Sequence, residues 1–260
     1  MMNKKLFVSI AALSCIALSC RKDLPNGFEP PDTQIISPAD GATLTNAQVT
    51  CEWEGLDNAV SFRYKLDDEA WSAWTTQTTQ TFFLDEGIHG FAVTAKNEFN
   101  REDPTPDSIT FTVDAISGPA LWIKPRQRTL AVSASCSLYV WMEDALNLML
   151  GSIELIYDNT VLRIKSVEID TTLLGANGGM VQFIPEYHDT MQVVKVTFGI
   201  VGGSPKGVSG NGALFMMDCL LKTADTTSID FSLASEVRDT LNVVIPLTTM
   251  LSATIFPEQP

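Results

Sequence analysis

Short runs of alternating apolar and polar residues, separated by turn-forming residues, fill most of this chain and predict strands rather than helices. Between residues 33 and 114 they include Val49-Thr50-Cys51-Glu52-Trp53, Phe62-Arg63-Tyr64-Lys65-Leu66 and Phe91-Ala92-Val93-Thr94-Ala95. Breaks at Pro38-Ala39-Asp40-Gly41, Leu66-Asp67-Asp68-Glu69 and Asp85-Glu86-Gly87 suit hairpins, so this segment reads as an antiparallel β-sandwich. Ala115 to Pro119 is the expected linker. Over residues 120–257, Leu130, Val132, Ala134, Cys136, Leu138 and Val140 alternate. Ile153, Leu155 and Tyr157 do the same, as do Val194, Val196, Phe198 and Ile200 before the glycine-rich stretch Gly202 to Gly207. With no long helical period anywhere, the expected fold class is all-β, two β-sandwiches in tandem.

Two of these strands are apolar on both faces. Leu148, Leu150 and Ile156 fall opposite the inward set Ile153, Leu155 and Tyr157, with Ser152 and Glu154 in the same outward phase. Leu214, Met216 and Leu220 oppose Phe215, Met217 and Leu221. A second apolar face needs cover. A partner protein would supply it, and so would the chain's own loops, the first domain, or a bulge that shifts the phase. The candidate partner-binding set is therefore Leu148, Leu150, Ser152, Glu154, Ile156, Leu214, Met216 and Leu220.

The first residues change the picture from fold to location. Lys4 and Lys5 precede an uncharged stretch, Leu6 to Ser19, which is too short to span a bilayer but has the length of a signal peptide core. Its end, Ala17-Leu18-Ser19-Cys20, resembles a bacterial lipobox. The resemblance implies that residues 1–19 are removed and that Cys20 carries the lipid. Residues 20–32 then form the anchor and a proline-rich spacer, and the protein belongs to the bacterial cell envelope, at the outer membrane or cell surface. A plain secretory signal cut elsewhere, and a second lipobox ending at Cys15, are the alternatives.

Charge narrows the partners. The chain has 17 Lys and Arg against 31 Asp and Glu, net −14, and loss of the leader with its two lysines makes it −16. That balance excludes a nucleic-acid partner, which needs a basic footprint, and electrostatic docking to anionic lipid. Membrane contact is left to the lipid anchor alone. Beyond the anchor, Cys51, Cys136 and Cys219 are too few for a disulfide framework, although a Cys136–Cys219 bridge is possible if their strands are neighbours.

Two family resemblances follow. Phe62 to Leu66, Trp71-Ser72-Ala73-Trp74, Leu84 to Val93 and the closing Ile109 to Asp114 resemble bacterial immunoglobulin-like, fibronectin-III-like modules. Gly151 to Ile164, which contains Tyr157-Asp158-Asn159, resembles a cohesin domain. Gly207 to Phe215, Ile229 to Leu233, Arg238-Asp239 and Val243-Val244-Ile245 follow in the cohesin order. The resemblances imply an immunoglobulin-like sandwich and then a cohesin or jelly-roll one, with a dockerin-type protein as partner and a place in polysaccharide capture or degradation. The chain departs from cohesins that carry Asn-x-Asp before Tyr-Asp, because Leu150 and Ser152 stand at those positions. The physics of the signature residues is structural: a buried tyrosine ring, an Asx turn, and glycines for special backbone angles.

Catalytic signatures are missing. His89 reads as a structural residue, and Glu186-Tyr187-His188-Asp189 as a solvated turn. No nucleophile elbow, P-loop or His-Glu-x-x-His occurs. Asp67-Asp68-Glu69 reads as a solubilised turn rather than a calcium site, and Trp71 with Trp74 as packing rather than a sugar platform. The expectation is a non-catalytic lipoprotein without cofactor whose second domain docks a protein. The alternatives are direct carbohydrate binding, through Trp122, Tyr139, Trp141 and Tyr187, or a purely structural envelope role.

Overall fold

The structure, a computed structural model, describes residues 29–259, so the expected leader, the anchor Cys20 and the spacer up to residue 28 lie outside the described residues. Strands β1 (Asp32–Ser37), β2 (Thr43–Leu44), β3 (Gln48–Leu56), β4 (Ser61–Leu66), β5 (Thr79–Phe83), β6 (Gly87–Lys96) and β7 (Asp107–Val113) form the first sandwich. One sheet runs β1-β3-β5 and the other β2-β7-β6-β4. In β3 the buried Val49, Cys51 and Trp53 alternate with exposed neighbours, as a strand with one wet face requires. Between the sheets the Trp53 ring packs 5.7 Å from that of Phe91, which meets Phe82 edge-on at 6.0 Å.

The second sandwich starts with β8 (Ala120–Lys124), β9 (Gln127–Leu130), β10 (Ser135–Tyr157), β11 (Leu162–Ile169) and the single-turn α1 (Thr171–Leu174). It continues with β12 (Met180–His188), β13 (Val193–Val201), β14 (Val208–Leu221) and β15 (Thr227–Phe231). The last strands are β16 (Glu236–Asp239), β17 (Thr249–Leu251) and β18 (Ala253–Pro257). The 23-residue β10 organises it. Its first half pairs with β14 and β8, and its second half with β13, β16 and β15. Between the halves the register slips at Met142/Ala145 and at Ala145/Leu148. Asp144 and Asn147 take left-handed angles, φ 50° and 54°, at this bend. Asp and Asn tolerate that region better than most residues, and bulges bend the strand that carries them.

These irregularities correct three expectations. Leu148 is fully buried, because a further register shift between Leu148 and Leu150 reverses the phase. Leu214 is fully buried as well. It is the extra residue of a bulge in which Val140 faces Phe215 and Trp141 faces Ala213. The long alternation from Leu130 to Val140 is two strands rather than one. A turn, with Ser133 at φ 69°, separates β9 from β10 and leaves Val132 exposed.

The two sandwiches are clasped at their junction. Arg126 pairs through Nε with Asp85 Oδ1 at 3.0 Å, with side chains only 10% and 16% exposed. The same guanidinium donates to the Leu84 carbonyl at 2.8 Å and lies 4.6 Å from the centre of the Phe83 ring. Ile116, Ala120 and Trp122 bury against Trp141 and Leu251 beside this contact. Glu143 is buried here too, accepting hydrogen bonds from Trp122 Nε1 at 3.2 Å and from Asn211 Nδ2. Burial pushes its carboxyl from the ordinary 4.5 up to about 7, against the Trp122 bond and with repulsion from Glu86, Asp144 and Asp114 adding to it.

A raised carboxylate means that the folded protein holds a proton which the unfolded chain releases between pH 4.5 and 7. The Glu143 contribution is therefore fully present below pH 4.5 and is lost as pH rises through 7. Glu143→Gln should melt with wild type at pH 5 and a few degrees above it at pH 8, measured by calorimetry. A gap that stays constant with pH would show that Glu143 titrates normally.

Candidate docking face

The second half of β10 stands at the centre of a sheet ordered β16-β10-β13-β12. Cross-strand partners share a face, so register alone assembles the outer surface into rows. Arg238, Leu150, Gly199 and Gln182 form one row, and Glu236, Ser152, Thr197 and Ile184 the next. Glu154, Lys195 and Glu186 follow, alternating in charge, and then Ile156, Val193 and His188. Leu150 is 37% exposed, Ile156 43%, Ile184 54% and Met180 68%. The opposite phase, Ile153, Leu155, Val194, Val196 and Phe198, is buried in the core.

A glycine allows close packing on each face of this strand pair. A Cβ at Gly151 would lie 2.3 Å from the Phe198 ring beneath it, so the core aromatic fits only under a bare backbone. Leu150 lies across Gly199, where a Cβ would come within 3.0 Å of its methyl. The corner is held by Ser235, whose hydroxyl donates to the Glu154 carbonyl at 3.1 Å and accepts from the Glu154 amide at 3.0 Å. Arg238 grips Glu236 with two hydrogen bonds and donates a third to the Asn242 carbonyl. At the other margin β12 pairs only with β13 among the described residues, and Pro185 in its middle has no N–H to offer another strand. This surface can therefore bury a partner against its face while its edge resists strand addition.

Of the expected contact residues, Leu150, Ser152, Glu154 and Ile156 lie together on this surface, whereas Leu148 and Leu214 are in the core. Met216 and Leu220 are half-buried on β14, in the part of the sandwich built on the first half of β10, and do not join it. Ile184, Met180, Lys195 and Arg238 were missed. The signal for β12 was the alternation Val181-Gln182-Phe183, which the apolar Ile184 and then Pro185 break off.

Other candidate residues are accounted for locally. Glu186 to His188 end β12 instead of forming a turn, with His188 Nε2 at 3.6 Å from Glu186 Oε2. His89 bridges Asp67 Oδ2 at 3.0 Å and the Asp85 carbonyl at 2.9 Å. Arg63, Lys65 and Lys96 stand over the rings of Trp71 and Trp74 at 4.7 to 5.5 Å. Trp122 is buried and tilted by 48° to Trp141, so these two rings make no flat platform. Cys136 and Cys219 face each other in register as free thiols, both raised by burial. Among the described residues no three His, Cys, Asp or Glu side chains cluster as metal ligands.

No protein-family model matches the chain, and no characterised protein matches it in sequence. Solved structures similar to it include a type II cohesin domain from the cellulosome of Acetivibrio cellulolyticus, 12% identical over 52% of this chain and 94% of that one, with a TM-score of 0.47. A cohesin from Clostridium acetobutylicum is 18% identical over 54% and 96%, at 0.43. A non-cellulosomal cohesin from the archaeon Archaeoglobus fulgidus is 17% identical over 54% and 91%, at 0.42.

The buried and exposed leucines of β10 separate by stability. Leu148→Ala should cost about 2–5 kcal/mol in chemical unfolding, as fully buried leucines do. Leu150→Ala and Ile156→Ala should each cost less than about 1 kcal/mol. Equal costs at Leu148 and Leu150 would contradict the phase reversal.

Proposed function

We propose that this chain is a non-catalytic, lipid-anchored surface protein whose second sandwich docks a partner protein. The contact is the outer face of β16, β10, β13 and β12. One observation carries the reading: Leu150, Ile156, Ile184 and Met180 are exposed on a single sheet face, set in register among charged rows. Apolar groups interleaved with oriented charges are how interfaces combine affinity with selectivity. The ordered sequence resemblance to cohesins supports a dockerin-type partner, and through it a role in handling polysaccharide. The lipobox-like Ala17-Leu18-Ser19-Cys20 supports the anchor. The first sandwich serves as an immunoglobulin-like spacer, and its strand order of three against four suits that role.

The tagged full chain should retain a protein from the envelope and secreted fractions of its source organism. Leu150→Asp with Ile156→Asp should weaken that complex at least tenfold, as measured by titration with the purified partner, while circular dichroism stays unchanged. Retention of a polysaccharide instead, or a complex indifferent to the double variant, would sink the assignment of this face. Separately, Cys20→Ser should abolish incorporation of a labelled fatty acid and release the protein from the membrane fraction. Undiminished label would move the anchor elsewhere, and an unlabelled wild type would remove it.

A further inference from the structure

The end of the second sandwich holds an open cleft of about 620 Å³, formed where β10 turns into β11 and β12 ends. Its charged lining is Arg163, Lys165 and Lys222, without an acid, in a chain of net charge −14. Arg163 and Lys165 are two apart on β11 and both exposed, so they share a face roughly 7 Å apart along the strand. Lys222 flanks them, its Nζ spending one of three donors on the Asn159 carbonyl at 2.7 Å. The half-exposed ring of Tyr187 closes the other side.

Two acids stand beside the cleft: Asp218 pairs with Lys165 at 2.6 Å, and Asp158, held ionised by the Thr160 amide and hydroxyl at 2.8 and 2.6 Å, faces Lys222, so Arg163 is the cation no acid offsets. The Arg163 side chain makes no hydrogen bond or ion pair among the described residues, which leaves its planar fork of donors open to a carboxylate. Cations spread along an open trough suit an extended polyanion better than one enclosed anion, and an aromatic wall with amide and hydroxyl groups beside it suits sugar rings.

We propose that this cleft binds a carboxylate-bearing saccharide, a segment of a uronate-containing polysaccharide. Arg163 takes the carboxylate, Lys222 adds a second cationic donor, and Tyr187 packs against a ring. The site is separate from the docking face, and Leu150 and Ile156 take no part in it.

The test is calorimetric titration of the full chain with a galacturonate hexasaccharide, its fully methyl-esterified form, and inorganic phosphate. The acid should bind with Kd below about 1 mM. Binding should fall at least tenfold for the ester, with Arg163→Gln, or in 0.5 M salt, and several-fold with Tyr187→Ala. Leu150→Asp with Ile156→Asp should leave it unchanged, so loss of partner docking and loss of sugar binding are told apart. Arg163 is exposed, and an unchanged melting curve for its variant would confirm that the fold persists. Absent saturable binding, equal affinity for the ester, an unaffected Arg163→Gln, or displacement by low-millimolar phosphate would each overturn the proposal.

Discussion

The bend in β10 is the constraint on which the second sandwich depends. A single strand of 23 residues pairs with β14 and β8 before the bend and with β13, β16 and β15 after it. A straight strand could not serve both sets of partners around one core, so the chain inserts residues that no partner matches. Asp144 and Asn147 accept the left-handed angles this requires. Everything after the bend inherits its phase: Leu148 turns inward, and Leu150 to Ile156 turn their alternate side chains out. The apolar content of the face is therefore set by where the slips fall as much as by composition.

Much of the architecture was legible because alternation is a local signal. The regions of strand, the absence of a long helix and the turn after Tyr157-Asp158 follow from residues within a few positions of each other. The failures share a cause. Whether Leu148 and Leu214 point in or out depends on how β10 pairs with β14 and β16, strands far apart along the chain, and a bulge leaves no local mark. The turn at Ser133 was overlooked because Val132 continues the apolar rhythm across it. Half of the candidate face was readable in β10 alone. The other half needed the pairing of β12 with β13, and Pro185 spoils the rhythm of β12.

Electrostatics divides the surface of an acidic chain into different neighbourhoods. On the sheet face opposite charges are laid side by side, Glu154 beside Lys195 in register and Glu236 in an ion pair with Arg238. In the end cleft Arg163 is left uncommitted. At the junction, burial pushes the carboxyls of Glu86 and Glu143 upward, with repulsion from Asp114 adding to both. The same residue types thus support packing, selectivity or an open binding position according to how completely water is removed and which partner stands across the register.

Modules joined by a short connector are ordinarily free to swing. Here Arg126 reaches back to Asp85 and Leu84, and Ile116 is sealed beneath Trp122, so a swing would have to break a part-buried ion pair and open an apolar cluster. A loose tether explores a sphere and presents its binding surface at random angles, whereas a stiff arm sweeps a shell and holds that surface at a set height and orientation. The geometry of any assembly built on this molecule is then inherited from the junction between the sandwiches, far from the surface where the partner would sit.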